Sequence, residues 1–482
     1  MPRFISTAIP YVNAQPHLGH ALEYVQADAY ARALRQAGED VFFLTGTDDN
    51  ALKNVLAAEK VGKGIAEYVA ENAEHFVDLD RKLDVGYDDF IRTSSDPRHR
   101  PGVEKLWKAT KSEDLYKKNY HGYYCVGCEE FKTEKDLVNS ECPEHPGRAL
   151  EEVAEENYFF RLSAYQDQLQ RLVESDMLRI VPESRKNETI AFIKGGLEDF
   201  SVSRSALRAK GWGVPVPGDP DQYLYVWYDA LANYITALDY ANEGEKYQIY
   251  WAAADAVKVH MIGKGINRFH TLYWPAMLLS AGVPLPSTVF VHGYITSGGQ
   301  KMSKTLGNVV DPASLIERYG SEAVRYFLLR HGSSTEDFDI TDEKCREWYT
   351  AHLTNGLGNL VARVMKLAEE HLPHPIALTE ADEVFDSAFL ERIEAFRFND
   401  ALDFVFEKVG AADARMAEQK PYALIKSGDA VEREAARKEI EALVHELAAI
   451  ATHLTPAMPR TAAAILSAVR KNEKPENLFP RL

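Results

Sequence analysis

One stretch near the start of the chain constrains the fold most, because it joins a buried strand, a turn and a helix. The apolar run at residues 4–9 ends at a proline and predicts a short buried strand. Apolar residues then recur at helical spacing from Leu18 to Ala33, and Gly38 ends that pattern. A second apolar run at residues 41–45 leads into another turn and helix. This alternation predicts a doubly wound α/β domain, in which ligands bind at the carboxyl ends of the strands.

The turn between this strand and helix carries a pair of histidines. His17 and His20 stand three residues apart, so they share one face of the first helical turn. Unpaired backbone N–H groups and the positive end of the helix dipole meet there, which favours a phosphate group. Gly19 lets such a ligand approach the backbone closely. An ordinary helix start is the alternative, and a zinc pair is disfavoured because metalloproteases place the two histidines four residues apart.

Length and composition limit the function classes. A chain of 482 residues predicts about two to four domains. No apolar run of about 18 residues occurs and the first residues lack a signal-peptide pattern, so we expect a cytoplasmic protein with no membrane partner. The net charge of −18 disfavours nonspecific binding to nucleic acid, and an RNA partner would have to meet local basic patches.

Three of the four cysteines cluster with one histidine. Cys125, Cys128, Cys142 and His145 form two short hooks separated by 13 residues, which predicts a structural zinc site. Protein ligands would fill all four coordination positions, so the metal would stabilise a small subdomain and leave no place for catalytic water. Buried free thiols are the alternative. The short aromatic strands around these hooks predict an insertion at residues 116–214.

The remaining segments complete the α/β domain and add a helical tail. Asp48 ends the second strand, where it either meets a ligand or caps the next helix. Lys301 and Lys304 lie in a Gly- and Ser/Thr-rich loop that can carry positive charge to a phosphate chain, unless it is only a solvated loop. Helical spacing with proline breaks then predicts a bundle of about four or five helices. We therefore expect the following segments: the first half of the α/β domain at 1–115, the insertion at 116–214, the second half at 215–295, the lysine loop region at 296–345 and the bundle at 346–482.

The sequences H-L-G-H at residues 17–20 and K-M-S-K-T at residues 301–305 resemble, as an ordered pair, the two signatures of class I aminoacyl-tRNA synthetases. Within that class the chain is similar to the methionine-specific members along its whole length, including the T-G-T-D turn, the cysteine hooks and the I-G-K-x-I-x-x-x-H segment. The resemblance implies a Rossmann-like catalytic domain with a zinc-knuckle insertion and a C-terminal α-helical bundle. It also implies an enzyme that converts methionine to methionyl-adenylate with ATP and Mg²⁺, then transfers the methionyl group to the 3′ end of tRNA(Met).

The same resemblance implies a set of functional residues. Adenylation requires in-line attack of a carboxylate on the α-phosphate, so catalysis depends on positioning and charge stabilisation and needs no protein nucleophile. Asp48 would bind the α-ammonium group of methionine, and Tyr11 and His270 would recognise its sulfur. The implied ATP-binding residues are His17, Gly19, His20, Gly263, Lys301 and Lys304, of which the histidines and lysines are catalytic. The implied methionine-binding residues are Ile9, Tyr11, Asp48, Trp227, Ala230, Leu231, Tyr234, Ile266 and His270, and the implied anticodon-binding residues are Asn359, Arg363 and Tyr422.

The chain departs from the family pattern at three places. Asn50 and Ala51 replace the usual His and Gly, Gly265 replaces an Asp that meets the ATP ribose, and Tyr422 replaces the commoner Trp. The dimerising RNA-binding extension of many relatives is missing from the sequence, so we expect a monomer. Two other functions stay open: a nucleotidylyltransferase that adenylates without tRNA, and a non-catalytic tRNA-binding paralogue. The first of these would give the zinc insertion and the helical tail no purpose.

Overall fold

The fold was obtained as a computed structural model, which describes residues 1–132, 137–143, 147, 149–301 and 310–482. The chain forms two compact units. The first unit comprises Met1–Pro16, Glu39–Asp78 and Gly86–His292. The second unit comprises His17–Gly38, Leu79–Val85 and Gly293–Leu482.

The secondary structure follows the predicted alternation in its first part and the predicted helical tail in its last. The strands are β1 Pro2–Thr7, β2 Asp40–Thr47, β3 Asp89–Arg92, β4 Leu115–Cys125, β5 Glu130–Lys132, β6 Glu151–Phe160, β7 Arg179–Val181, β8 Phe200–Ser201, β9 Ser203–Ser205, β10 Pro215–Val216, β11 Asp219–Leu224, β12 Val257–Gly263, β13 Thr288–His292, β14 Ile295–Ser297, β15 Gln300–Lys301 and β16 Phe338–Asp339. The helices are α1 Leu18–Gln36, α2 Leu52–Val61, α3 Ile65–Leu83, α4 His99–Ala109, α5 Gln166–Glu174, α6 Glu183–Lys194, α7 Ala206–Ala209, α8 Val226–Leu231, α9 Asn233–Thr236, α10 Glu245–Tyr247, α11 Trp274–Ala281, α12 Pro312–Tyr319, α13 Ser321–Tyr326, α14 Asp342–Trp348, α15 Asn359–His371, α16 Glu380–Glu383, α17 Ser387–Glu394, α18 Phe398–Gln419, α19 Pro421–Leu424, α20 Ala430–Leu454 and α21 Pro459–Lys471.

A six-stranded sheet with the order β3-β2-β1-β12-β13-β7 forms the centre of the first unit. Every neighbouring pair in it is parallel. Residues 41–47 of β2 and all of β13 are buried, as expected for a parallel sheet that is covered on both faces. The chain proceeds from β1 to one side through β2 and β3 and later returns to the other side at β12. This reversal of direction is where doubly wound sheets bind their ligands, beyond the carboxyl ends of the strands.

The segment predicted as one insertion, residues 116–214, is not uniform. It contributes to the antiparallel sheet β5-β4-β6-β8, of which β4, β5 and β6 precede β7 in the chain and β8 follows it, in agreement with the short aromatic strands seen in the sequence. Strand β7, however, pairs with β13 as the edge strand of the six-stranded sheet, and two helices flank it. A strand of three residues with a single buried side chain, Ile180, carries too little periodicity to be recognised in the sequence.

A buried arginine connects three parts of the second unit. The guanidinium of Arg325 pairs with Asp28 of α1 at 2.7 Å. It also donates to the carbonyls of Leu83 at the end of α3 and of Pro456 and Ala457 before α21. Because a buried charge is tolerated only when it is paired and hydrogen-bonded, this side chain fixes the mutual arrangement of these segments.

The C-terminal part of the second unit is helical, and its proline breaks lie where the sequence predicts them. Helix α15 ends at His371, α18 ends just before Pro421, and α20 ends before α21 begins at Pro459. A further break, between α17 and α18, occurs at Phe396, which has a left-handed backbone (φ 58°). No proline or glycine marks this turn, so the sequence did not indicate it. Among the described residues, no helix has the length and apolar composition needed to cross a bilayer.

Candidate active site

The carboxyl ends of β1 and β2 bring Tyr11 and Asp48 together in the first unit. The two residues form an isolated parallel bridge, and the Asp48 N–H donates to the carbonyl of Pro10 at 2.9 Å. The Asp48 side chain accepts from the backbone N–H of Asn50 at 3.0 Å and is only 1% exposed. Burial, and next the nearby charge of Asp229, raise the pKa of Asp48 well above its usual range. Within the described part of the chain, no cationic side chain lies within ion-pair distance of this carboxylate.

A second buried carboxylate, Asp229, is held by a network that sequence reasoning missed. Its Oδ1 accepts from Nε2 of His99 at 2.8 Å, and the other ring nitrogen of His99 meets the Thr236 hydroxyl at 2.8 Å. Its Oδ2 accepts from the side-chain amide of Asn50 at 2.7 Å. Asn50, one of the departures from the family pattern, therefore connects the two carboxylates, because its backbone meets Asp48 and its side chain meets Asp229. A histidine some 130 residues before its partner gives no signal in the sequence that could have revealed this pair.

Aromatic side chains form one wall beside these carboxylates. The ring of Trp227 stacks on Phe269 with centroids 3.7 Å apart and an angle of 8° between the planes. Tyr11 meets Trp227 edge-on at 6.2 Å. Neither the Tyr11 hydroxyl nor the indole N–H of Trp227 has a hydrogen-bond partner among the described residues, although both atoms are buried. Phe269 was not predicted, although it lies next to His270 and three residues after Ile266.

Tyr234 and His270 form the deeper part of this region. The Tyr234 hydroxyl lies 2.7 Å from Nε2 of His270, and Nδ1 of the same ring lies 3.0 Å from the carbonyl oxygen of Ile266. A carbonyl can only accept, so Nδ1 carries the proton and Nε2 accepts from the tyrosine. Burial lowers the pKa of His270 to about 4, so the ring is neutral at physiological pH. Among the other predicted methionine-binding residues, Leu231 is buried in the same core and Ile9 and Ile266 pack against it half-buried, while Ala230 is also buried.

The two histidines of the H-L-G-H sequence begin helix α1 in the second unit. Nδ1 of His17 accepts from the backbone N–H of Gly19, and Nδ1 of His20 accepts from the backbone N–H of His17, each at 3.1 Å. Their rings stack with centroids 3.7 Å apart. Since each Nδ1 accepts, each ring carries its proton on Nε2. A Cβ atom on Gly19 would lie 2.9 Å from the His17 ring, so a larger residue here would displace the ring that forms this cap.

The lysine loop begins from a hairpin in the second unit. Strands β14 and β15 are joined by Gly298 and Gly299, both with positive φ, as in a two-residue hairpin turn. The carboxylate of Asp339 accepts from the Gly299 N–H at 2.8 Å and pairs with Lys344. Lys301 ends β15, while Lys304 lies outside the described residues. The predicted nucleotide-binding Gly263 ends β12 in the first unit.

The cysteine hooks come together as the sequence predicts. The sulfur atoms of Cys125, Cys128 and Cys142 all lie within 4.8 Å of one another, and Cys128 and Cys142 are 3.5 Å apart. Tetrahedral ligands at about 2.3 Å from a zinc ion are separated by roughly 3.8 Å, so three thiolates in this arrangement fit such an ion. The fourth predicted ligand, His145, lies outside the described residues.

The predicted anticodon-binding residues lie on helices of the second unit. Asn359 begins α15 and is exposed, and Arg363 follows one turn later. Nη1 of Arg363 pairs with Oδ1 of Asp413 on α18 at 2.8 Å. Tyr422, near the start of α19, is 41% exposed. Tyr422 is therefore not a core aromatic.

Comparison with known proteins identifies a family that this chain matches. The family model described as tRNA synthetases class I (M) matches residues 3–150 and 145–365. The chain is 42% identical to the methionine–tRNA ligase of Caldanaerobacter subterraneus subsp. tengcongensis over 471 residues, which are 95% of this chain and 72% of the relative. It is also 42% identical to the methionine–tRNA ligase of Brucella suis over 442 residues, 89% of this chain and 84% of the relative.

The fold itself has a solved counterpart. It matches a structure of Mycobacterium tuberculosis methionyl-tRNA synthetase in complex with methionyl-adenylate, with a TM-score of 0.90 and 36% identity over 100% of both chains. The expected fold class, a Rossmann-like α/β domain with a cysteine knuckle and a helical C-terminal region, is thereby confirmed. The profile match, the sequence identities and the fold together show that the chain belongs to the methionine–tRNA ligase family of class I tRNA synthetases.

Proposed function

We propose that this chain activates methionine with ATP to form methionyl-adenylate and transfers the methionyl group to tRNA(Met). The observation that carries the proposal is the Asp48 carboxylate, which is buried, has a raised pKa and faces no cationic side chain of the described residues. An opposite charge within about 4–6 Å favours the ionised form of such a group. The α-ammonium group of an amino acid would supply that charge, and it would be most stable beside a second carboxylate such as Asp229.

The aromatic wall fits the side chain of methionine. A thioether is polarisable, contacts aromatic rings favourably and accepts only weak hydrogen bonds. The buried hydroxyl of Tyr11 lacks a partner among the described residues, so it can donate to sulfur. The proton of His270 is already donated to Ile266, so we assign sulfur recognition to Tyr11 and give His270 the role of holding Tyr234. Because an apolar pocket separates similar side chains by only about 1–3 kcal/mol, this polar contact would help to reject leucine and isoleucine.

We assign the phosphate chemistry to the histidines and lysines of the two signature sequences. His17 and His20 each have a proton on Nε2, so each is a neutral hydrogen-bond donor at the start of a helix. Together with Lys301, Lys304 and the backbone at Gly19, they would stabilise the negative charge that develops on the α-phosphate. One such contact is typically worth about 3 kcal/mol in the transition state, by analogy with an oxyanion donor. Mg²⁺ would neutralise the other phosphates, as is usual for nucleotide substrates.

The cysteine knuckle and the helical bundle supply the proposed zinc and tRNA sites. The three thiols, with His145 as the fourth ligand, suit zinc, which would hold the insertion together. Asn359, Arg363 and Tyr422 offer an amide, a guanidinium and an exposed ring, which are the groups that read and stack unpaired bases. The cytoplasmic location and the monomeric state stay predictions from the sequence.

Methionine-dependent exchange of pyrophosphate into ATP, followed by charging of tRNA(Met), tests the proposal. The purified protein should catalyse exchange with methionine but not with leucine. Asp48→Asn should raise the KM for methionine, because the amide cannot supply the charge that the ammonium group needs, while the exposed residue Asp167 on α5 provides a control as Asp167→Asn. Exchange without methionine dependence, or accumulation of a free dinucleotide, would overturn it. Binding of tRNA without any exchange would instead support the non-catalytic paralogue.

A further inference from the structure

One buried acidic residue of the cysteine knuckle has no place in the function proposed above. Glu129 directly follows Cys128, and its side chain is completely buried. Its backbone is left-handed, with φ at 55°, a conformation that is uncommon for residues with a side chain. A charged side chain is rarely buried unless it is paired and hydrogen-bonded, so the contacts of Glu129 require an explanation.

The contacts of Glu129 reach several segments of the first unit. Oε1 accepts from the backbone N–H of Lys53 at 2.6 Å. Oε2 accepts from the hydroxyl of Tyr124 and faces Nη1 of Arg204 at 3.5 Å. The backbone carbonyl of Glu129 accepts from the hydroxyl of Tyr225. Arg204 is itself buried and lies over the Tyr225 ring at 5.3 Å, so the negative charge of Glu129 is compensated within the same cluster.

The contact with Lys53 supplies a missing helix cap. Helix α2 begins at Leu52, and its N-cap residue Ala51 has no side chain that can accept a hydrogen bond. The N–H of Lys53 is one of the groups that a helix leaves unpaired at its start. Glu129 accepts from it and also places a negative charge at the positive end of the helix. A residue of the insertion thus accepts the hydrogen bond that the N-cap residue accepts in most helices.

The helix turn that this cap holds contacts two residues of the proposed methionine pocket. The first turn of α2 follows Asp48 in the chain, and the Asn54 side chain in that turn donates to the Asp48 carbonyl at 2.9 Å. The ammonium group of Lys53 lies over the ring of Tyr11, 4.3 Å from its centroid. On the other side, Tyr225 stands two residues before Trp227. Glu129 therefore touches the start of α2, which follows Asp48, and the segment before Trp227, and Lys53 connects the first of these to Tyr11.

We propose that Glu129 is a positioning residue, which couples the cysteine knuckle to the methionine pocket by holding the start of α2 and the segment before Trp227. The proposal rests on the assignment of the methionine pocket under the proposed function. It goes beyond a stabilising role for the knuckle, because it predicts that a residue of the insertion sets the affinity for the amino acid. A residue that only stabilises the insertion would not distinguish methionine from ATP.

Steady-state exchange kinetics of Glu129→Ala and Glu129→Gln test this role, together with direct calorimetric titration of methionine. Glu129→Ala should raise the KM and the dissociation constant for methionine about tenfold, because the start of α2 would lose the cap that holds it beside Asp48. The KM for ATP should change less than about twofold. Glu129→Gln keeps an oxygen that can accept from Lys53 but loses the charge opposite Arg204, so its methionine KM should lie between those of the wild type and Glu129→Ala.

Controls separate this effect from damage to the knuckle. Glu152→Gln changes an exposed acidic residue on β6 in the same insertion and should leave every constant unchanged. Zinc content and melting temperature are measured for all variants. An unchanged methionine KM in Glu129→Ala would overturn the proposal, as would equal losses for methionine and ATP with loss of zinc. If Glu129→Ala does not fold, the methionine KM of Glu129→Gln decides, and an unchanged value would overturn the proposal. A wild type without methionine-dependent exchange would instead refute the proposed function.

Discussion

The hydroxyl of Tyr234 donates to Nε2 of His270 at 2.7 Å, and this contact fixes the neutral form of a histidine inside the proposed methionine pocket. The ring of a second buried histidine, His260, lies 4.1 Å from the Tyr234 ring. Burial also lowers the pKa of His260 well below its usual range. Neither imidazole can take up a proton without placing a charge in the core, so the packing of these three rings is stable only while both histidines are neutral.

Acid should therefore destabilise the first unit in a defined pH range. The pKa of His270 is about 4 in the folded protein against about 6.5 in an unfolded chain, so the unfolded state binds more protons between these values. The contribution of neutral His270 to the free energy of unfolding is fully present above pH 6.5 and is lost as the pH falls toward 4. At pH 5 the cost of keeping His270 neutral is roughly 2 kcal/mol. The melting temperature should therefore fall more between pH 7 and pH 5 in the wild type than in His270→Gln. Equal falls in the two proteins would show that His270 is not the group whose protonation destabilises the fold.

The histidines at the start of α1 should contribute to catalysis beyond their role as caps. Asparagine at position 20 can still accept from the His17 N–H but lacks the outer Nε2–H donor, whereas alanine loses both. We expect His20→Asn to melt near the wild-type temperature yet to form adenylate about a hundredfold more slowly, with little change in methionine affinity. His20→Ala should show the same rate loss and a lower melting temperature. Pre-steady-state kinetics measure the rate of adenylate formation in both variants. A normal rate for His20→Asn would show that His20 has a structural role only.

The knuckle should bind one zinc ion per chain through Cys125, Cys128, Cys142 and His145. Cys128→Ser removes a thiolate from the group of three sulfur atoms that lie within 4.8 Å of one another, so it should abolish metal binding and the order of the insertion. Metal analysis and proteolytic sensitivity of residues 116–160 measure both effects. Cys345→Ser, at the buried cysteine of α14, is the control that should keep the zinc. A wild type that is metal-free and fully active would show that the hooks are no longer used.

The sequence predicted the elements of this site better than the contacts between them. Residue type and spacing were sufficient for the cysteine hooks, for the histidines at a helix start and for Asp48 at the end of a strand, since each of these signals lies within a few residues. The pair His99–Asp229 and the cap from Glu129 to Lys53 join residues 130 and 76 positions apart. Such contacts arise from tertiary packing, which periodicity and turn chemistry do not encode.

Strand β7 was missed for a related reason. Its three residues belong to the sheet through their pairing with β13, which lies far away in the sequence. One departure from the family pattern, Asn50, is likewise explained only by the residue that it contacts. Asn50 stands where the family pattern has a histidine, and its side-chain amide donates to Asp229 at 2.7 Å and so holds that carboxylate in position.

Arg363 and Tyr422 should affect the charging of tRNA without affecting the activation of methionine. Arg363 is held on the surface of the bundle by Asp413, and Tyr422 is too exposed to be a core residue. A bidentate arginine contact with a base is worth about 1–3 kcal/mol, and a stacked base contributes a similar amount. Arg363→Ala and Tyr422→Ala should therefore each reduce charging efficiency roughly ten- to a hundredfold while pyrophosphate exchange stays near the wild-type rate.

The ion pair offers a further way to test the same assignment. Asp413→Asn removes the charge that orients Arg363 at 2.8 Å, so it should impair charging less than Arg363→Ala and in the same direction. Arg470→Ala on α21 changes an arginine that also pairs on the surface of the bundle, with Glu383, and should leave both reactions unchanged. Melting temperatures of all variants should remain close to that of the wild type, because exposed ion pairs contribute only about 0–1 kcal/mol to stability. Equal losses in exchange and charging, or a charging defect in Arg470→Ala of the same size, would show that these residues act through the stability of the bundle and not through the anticodon.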